Sequence, residues 1–198
     1  MDPKEQISKD EGGRVVDATM YKSLVGGLRY LVNTQPDIAF SVKIVSRYME
    51  RPTALHLNAM KRILRYVNGI LQFGLIYNQN SGNNIVTGYS DSDLGGTIDD
   101  RRSKGGMAYY LNESLISWVS QKQRVVALSS CEAEFIVVTA SACQGIWMKN
   151  VLSHITDDKL GRVVLFIDNN SAIDLAIILC SMEEANISTY DFILSENV

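Results

Sequence analysis

Residues 83–93 read NNIVTGYSDSD. A short apolar approach from Ile85 to Ser90 runs, without a turn, into two acids, Asp91 and Asp93. The stretch that follows, GGTIDDRRS (95–103), adds Asp99, Asp100, Arg101 and Arg102. Residues 162–168, RVVLFID, repeat the opening pattern, with an apolar run that ends on Asp168. An apolar run of this length, closed by turn-forming residues, reads as a buried strand. Two such runs, each ending on an acid, predict parallel neighbours in one sheet, with Ile85–Asp91 as its central strand.

Between these runs lie the other elements of an α/β unit. GGMAYYL (105–111) and LISWVSQK (115–122), joined by NES, read as an antiparallel hairpin. ALSSCEAEFIVVTASACQGIWMKNVL (127–152) is a long helix, capped by Ser129 or Ser130 with Glu132 or Glu134 in its first turns. NSAIDLA (170–176) reads as the next helix. The order is β-β-β-α-β-α over a domain of residues 81–198, opened by the turn-rich SGNN (81–84).

Upstream the hydrophobic period is helical. Leu24, Leu28, Leu31 and Val32 share one face, as do Ile38, Val42, Val45 and Met49 in a segment opened by Pro36. Thr53 stands as the N-cap of a third helix, with Leu57, Met60, Ile63, Leu64 and Val67 on its inner face and Gly69 as its stop. Residues 19–80 therefore form a small helical unit. Residues 1–18, polar and without a period, read as a flexible lead-in.

Charge separates the two parts. The whole chain carries −3, but residues 1–80 hold 11 basic and 7 acidic side chains, against 8 and 15 in residues 81–198. An acidic second part suits bound cations better than direct binding of nucleic acid. Cys131, Cys143 and Cys180 lack paired spacing, which argues against a disulfide framework or zinc site and for reduced thiols inside a cell. His56 and His154 are isolated and read as core or surface residues. MDPKEQISKDEGG has no apolar h-region, and no run reads as the ~18 apolar residues of a membrane span.

Asp91, Glu134 and Asp168 come from a strand, a helix and a strand end. In a mixed sheet crossed by the long helix they converge at one edge. Converging carboxylates repel unless a cation is present, and hard oxygen donors select Mg²⁺ or Mn²⁺. Two such ions about 4 Å apart serve phosphodiester hydrolysis. Each acid also has a plainer role. Asp91 could leave its strand into a loop, Glu134 could answer the helix dipole and Asp168 could cap the following helix.

YSDSD (89–93), SWVSQKQRVVALSSCEAEF (117–135) and FIDNNSAI (166–173) resemble the ribonuclease H region of copia-type LTR retrotransposon polyproteins. Residues 21–77, from YKSLVGGLRYLV to FGLIY, resemble the end of the reverse transcriptase that precedes it there. The resemblance implies a ribonuclease H-like mixed sheet behind a helical segment. It implies Asp91, Glu134 and Asp168 as catalytic, metal-binding acids, with Asp93 and Glu132 as second choices, and Mg²⁺ or Mn²⁺, two ions, as cofactor. It further implies cleavage of the RNA strand of RNA–DNA hybrids, an upstream reverse transcriptase domain as partner, and a cytoplasmic or nuclear rather than secreted location. The polymerase aspartates would lie upstream, since no Tyr-x-Asp-Asp occurs here. The basic groups Lys61, Arg62, Arg65, Arg101 and Arg102 are candidates for the hybrid backbone, or else solvated surface.

The sequence departs from the family at three places. Leu94 replaces a tryptophan and Cys131 a threonine. The tail SMEEANISTYDFILSENV replaces a basic, histidine-bearing segment, so the fourth acid falls near Ser188, with Asp191 three residues away. The competing expectation is therefore an inactive retroelement remnant that keeps the fold.

Overall fold

The two apolar runs pair as neighbours. In the computed structural model, which describes residues 7–9, 12–77, 84–96, 99–156, 160–182 and 192–196, β1 (Val86–Asp93) lies parallel to β4 (Val163–Ile167), in register from Thr87↔Val164 to Ser90↔Ile167. On its other side β1 pairs antiparallel with β2 (Lys104–Leu111), which pairs with β3 (Ser114–Lys122). The hairpin closes through Asn112 and Glu113, with Asn112 in the left-handed region that asparagine tolerates. A fifth strand, β5 (Phe192–Glu196), adds parallel to β4 and completes the sheet order β3-β2-β1-β4-β5. The expected β-β-β-α-β-α order omits β5, because FILSE in a polar tail carries no alternation long enough to mark a strand.

Helix α4 (Ser130–Thr156) crosses this sheet. By length and composition it could span a membrane. One face of it packs on the sheet and buries Ala133, Val137, Val138, Ser141, Gly145 and Met148. Met148 meets Val86, Tyr109, Leu160 and Val163, while Val138 meets Leu165 and Ile167. Burying each large side chain contributes about 1.5–3 kcal/mol. The Tyr109 hydroxyl donates to the Ser141 carbonyl, tying β2 to the middle of α4. Two glycines permit the close fit. A Cβ on Gly105 would collide with Val137 Cγ2, and one on Gly88 would lie 2.6 Å from Tyr109 Cε1 and 2.9 Å from Leu165 Cδ1. Helix α5 (Asn170–Met182) follows β4 and packs against α4, with Ile173 reaching the Val138–Leu165–Ile167 cluster.

The chain divides into two compact units, Met1–Leu75 with Thr97–Asp100, and Ile76–Gly96 with Arg101–Val198. Of the expected SGNN boundary, residues 81–83 lie outside the described residues. The first unit contains α1 (Ala18–Leu31), α2 (Ala39–Val45) and α3 (Ala54–Gly69), with 3₁₀ turns at Pro36–Ile38 and Ser46–Tyr48. Asp17 caps α1 by accepting from the Thr19 amide at 2.8 Å. Tyr21, Val25, Leu28, Ile38, Val42, Val45, Met60 and Ile63 form the core. Tyr21 and Val25 thus take the centre, with Leu24, Leu31 and Val32 packed around it, while Leu64 is 37% exposed rather than inward.

Where it is described, the lead-in makes ordered contacts to the start of α3. Val15 bridges to Thr53, and the Val16 amide donates to the Pro52 carbonyl at 3.0 Å. His56 explains part of this order. It is buried and stacked on Tyr48 at 4.1 Å. Its Nδ1 accepts from the Thr53 amide at 3.0 Å, which leaves the proton on Nε2 to donate to the Ser8 carbonyl, also at 3.0 Å. One imidazole therefore caps α3 and anchors the lead-in, a satisfied core role that no periodic pattern announces. His56→Ala strips both bonds and opens a cavity. It should cost on the order of 2–4 kcal/mol, read as a lower urea midpoint of the helical unit; an unchanged midpoint would refute the dual role.

Candidate metal centre

The parallel ladder between β1 and β4 ends at Ser90↔Ile167. Asp91 and Asp168 are the next residues on the two strands. They therefore stand side by side, on strands about 4.8 Å apart. Opposite Asp91 on β2 is Gly106, which offers no side chain to shield it. The third acid comes from α4. Glu134, in the second turn of the helix, reaches back to β1, where its Oε1 accepts from the Ser92 amide at 2.8 Å. One carboxylate oxygen from each of Asp91, Glu134 and Asp168 lies within 4.8 Å of the others.

The neighbouring acids have other work. Asp93 Oδ1 accepts from the Lys104 amide at 2.6 Å, and its Oδ2 lies 3.4 Å from the Lys104 ammonium. Glu132 Oε2 accepts from the Leu128 amide at 2.7 Å, while its own amide donates to Ser129 Oγ at 3.1 Å. Ser129 thus caps α4, while the Glu132 carboxylate takes the amide one residue before it, so the exchange is not between one pair of residues. Asp93 thus braces the β1–β2 edge, and Glu132 serves the N-terminus of α4.

Glu134 is the electrostatic oddity of the trio. It is only 5% exposed, whereas Asp91 and Asp168 are exposed. Burial pushes its carboxyl up to about 7; the Ser92 hydrogen bond opposes the rise, and the charges of Asp168 and Asp91 reinforce it. Its Oε2 is buried with no hydrogen-bond partner among the described residues. A buried carboxylate oxygen without a donor, beside two further carboxylates, fits a cation. Donors 2.0–2.1 Å from one octahedral Mg²⁺ are about 3 Å apart when adjacent and about 4.2 Å when opposite, so the three oxygens, within 4.8 Å of one another, would draw closer to share one ion. An all-oxygen set suits Mg²⁺ or Mn²⁺ rather than zinc.

The basic candidates are divided between the two units. Lys61, Arg62 and Arg65 are exposed on α3, in the helical unit. Arg101 and Arg102 are exposed where the chain returns toward β2. Arg62 and Arg102 already interact with other groups. Asp99 accepts from the Lys9 amide at 3.1 Å and from the Tyr48 hydroxyl at 3.4 Å. Ser188 and Asp191, the candidates for a fourth acid, lie outside the described residues.

Comparison with known proteins follows the same line. The chain is 37% identical over 173 residues to the "Retrovirus-related Pol polyprotein from transposon RE1" of Arabidopsis thaliana, and 41% identical over 157 residues to that "from transposon TNT 1-94" of Nicotiana tabacum. These matches cover 87% and 79% of the chain. The chain is homologous to a segment of the copia-type retrotransposon Pol polyproteins. It spans about 12% of the length of these two relatives. The "Secreted RxLR effector protein 161" of Plasmopara viticola is also similar, 39% identical over 129 residues, a match that covers 65% of the chain and 90% of the effector. No protein-family model matches. Among solved structures, a foamy viral protease-reverse transcriptase in complex with dsDNA aligns with 99% of the chain and 40% of its own, at a TM-score of 0.54 and 11% identity. That likeness supports the fold alone, a ribonuclease H-like mixed sheet behind a helical unit.

Sequence reasoning named the three acids but missed the groups that hold them. Ser92 acts through its backbone amide, which any residue except proline supplies, so its identity gives no signal. Gln123, 7% exposed, follows the last residue of β3. Nothing in QKQRVV marks which polar residue turns inward.

The raised Glu134 carboxyl makes stability depend on pH. The folded state holds this proton more tightly than the unfolded chain, whose carboxyl titrates near 4.5. The stabilisation is complete below that value and is lost as pH rises toward 7, at no more than about 1.4 kcal/mol per pH unit. In EDTA, the unfolding free energy of wild type minus that of Glu134→Gln should fall between pH 4.5 and 7. A flat difference would show that Glu134 titrates normally.

Proposed function

We propose that this chain is the ribonuclease H-like segment of a retrotransposon Pol polyprotein and cleaves the RNA strand of RNA–DNA hybrids with the help of divalent cations. The observation that carries the reading is the meeting of Asp91, Glu134 and Asp168 within 4.8 Å, with Glu134 buried and its Oε2 unpartnered. Divalent cations held by the trio would polarise an attacking water and neutralise charge on the leaving 3′ oxygen. Asp91 and Asp168, exposed on adjacent strands, hold the solvent side of the site, where a phosphate can approach. Glu134 holds the inner side and is kept from swinging by the Ser92 amide. Below its own titration near 7, Glu134 keeps a proton and weakens as a ligand, so cleavage should rise with pH through neutrality.

RNA would be selected through its 2′-hydroxyls and the wide minor groove of an A-like hybrid. Arg101 and Arg102, in the same unit as the acids, are the nearest candidates in sequence for the phosphates flanking the cut. Lys61, Arg62 and Arg65 would add nonspecific affinity through the helical segment, which fits the end of a reverse transcriptase lying upstream in the polyprotein. Relatives encoded by retrotransposons favour an intracellular site of action.

Purified chain with Mn²⁺ or Mg²⁺ should cut the RNA strand of a labelled hybrid, and EDTA should abolish the cut. Asp91→Asn should reduce cleavage by at least 100-fold. The same change removes one of three crowded charges, so its melting temperature without cations should equal or exceed that of wild type, with a smaller rise on adding Mg²⁺. Wild-type chain that binds the cation yet leaves the hybrid intact would establish the inactive remnant instead.

A further inference from the structure

We propose that Gln123 is the positioning residue of the carboxylate trio, a role that rests on the metal reading above. The side chain lies between the two elements that must stay in register for the site to exist. Its Nε2 donates to Ser92 Oγ at 3.2 Å and to the Ala133 carbonyl at 2.8 Å. Ser92 is the chain neighbour of Asp91, and Ala133 is the chain neighbour of Glu134. One amide group thus ties the strand that carries the first acid to the helical turn that carries the second. The Gln123 backbone is itself fixed, because its amide donates to the Ser103 carbonyl at 2.9 Å. Ser92 completes the link. Its Oγ donates to the Lys104 carbonyl at 3.2 Å, and its amide donates to Glu134 Oε1 at 2.8 Å.

The chemistry singles out glutamine. The Ala133 carbonyl can only accept, so the nitrogen of the amide must face it. The Ser92 hydroxyl already donates to Lys104, so it too needs a donor from Gln123. Two acceptors on different elements call for a neutral group with two N–H bonds at glutamine's reach. Glutamate would set oxygen against oxygen, and asparagine is one methylene shorter. The arrangement also costs stability, because Gln123 Oε1 is buried with no hydrogen-bond partner among the described residues. An apolar side chain would avoid that cost but would leave the Ala133 carbonyl and the Ser92 hydroxyl without this donor. Alignment of α4 with β1 is what the amide supplies and an apolar residue would not.

Calorimetric titration with Mn²⁺ of the full chain separates positioning from packing. Gln123→Met keeps the length and removes both donors. It should bind Mn²⁺ about 10-fold or more weakly, while its urea midpoint in EDTA changes little, the relief of the unpartnered Oε1 offsetting the lost donors. Ser92→Ala removes only the hydroxyl and keeps the amide to Glu134. It should also weaken Mn²⁺ binding, and the double variant should be no weaker than the worse single one, because both act through one link. If Gln123→Met fails to fold, Ser92→Ala decides alone. Wild-type affinity in either variant, or fully additive losses in the double, overturns the positioning role while leaving the metal site in place. A wild-type chain that binds no Mn²⁺ overturns the metal reading and this inference with it.

Discussion

The parallel pairing of β1 with β4 is the contact on which the site depends. Register places Ser90 beside Ile167, and the next step along both strands is an acid. A sheet with these strands in any other register would separate Asp91 from Asp168 by at least one residue, and a one-residue slip would turn one of them to the opposite face. The apolar residues below the acids enforce the register. Val163, Leu165 and Ile167 are buried on the α4 side of β4, as are Val86 and Gly88 on β1. Hydrophobic burial thus positions two like charges that would otherwise move apart.

Helix α4 brings the third charge, and its distance from the sheet is set by small residues. Gly105 on β2 leaves room for Val137, three residues along α4 from Glu134. The Tyr109 hydroxyl holds the helix further along at Ser141. Between these points the helix cannot lift, so Glu134 remains under the strand ends even though burial disfavours its charge. The fold spends stability on a carboxylate that water does not reach, a pattern expected where a site must be ready for a cation before the cation arrives.

The helical unit follows a different logic. Its core is closed by side chains from α1, α2, α3 and the turns between them, and its polar contacts serve structure. His56 shows this most clearly. A buried histidine in a retroelement relative invites a catalytic reading, yet both ring nitrogens are occupied by backbone groups. In the same unit, burial and the nearby Asp99 carboxylate raise the Tyr48 hydroxyl to about 12, so it remains a donor to the Ile7 carbonyl at all ordinary pH values.

By itself the sequence determined the elements whose residues repeat with a period, the switch from helical to strand patterning, and the acids that close the two apolar runs. These are local signals, written in the spacing of hydrophobic side chains. Tertiary structure decided whatever depends on partners distant in the chain. It brought Asp91, Glu134 and Asp168 together, while Lys104 and the Leu128 amide engage Asp93 and Glu132. It recruited FILSE as β5, since an edge strand can form on a template already present. It turned Gln123 inward, where acceptors 31 and 10 residues away meet one amide. Ser92 lies far from Gln123 in the sequence, and nothing in the stretch that holds both Gln123 and Ala133 marks their contact; only the folded chain brings these groups within hydrogen-bonding distance.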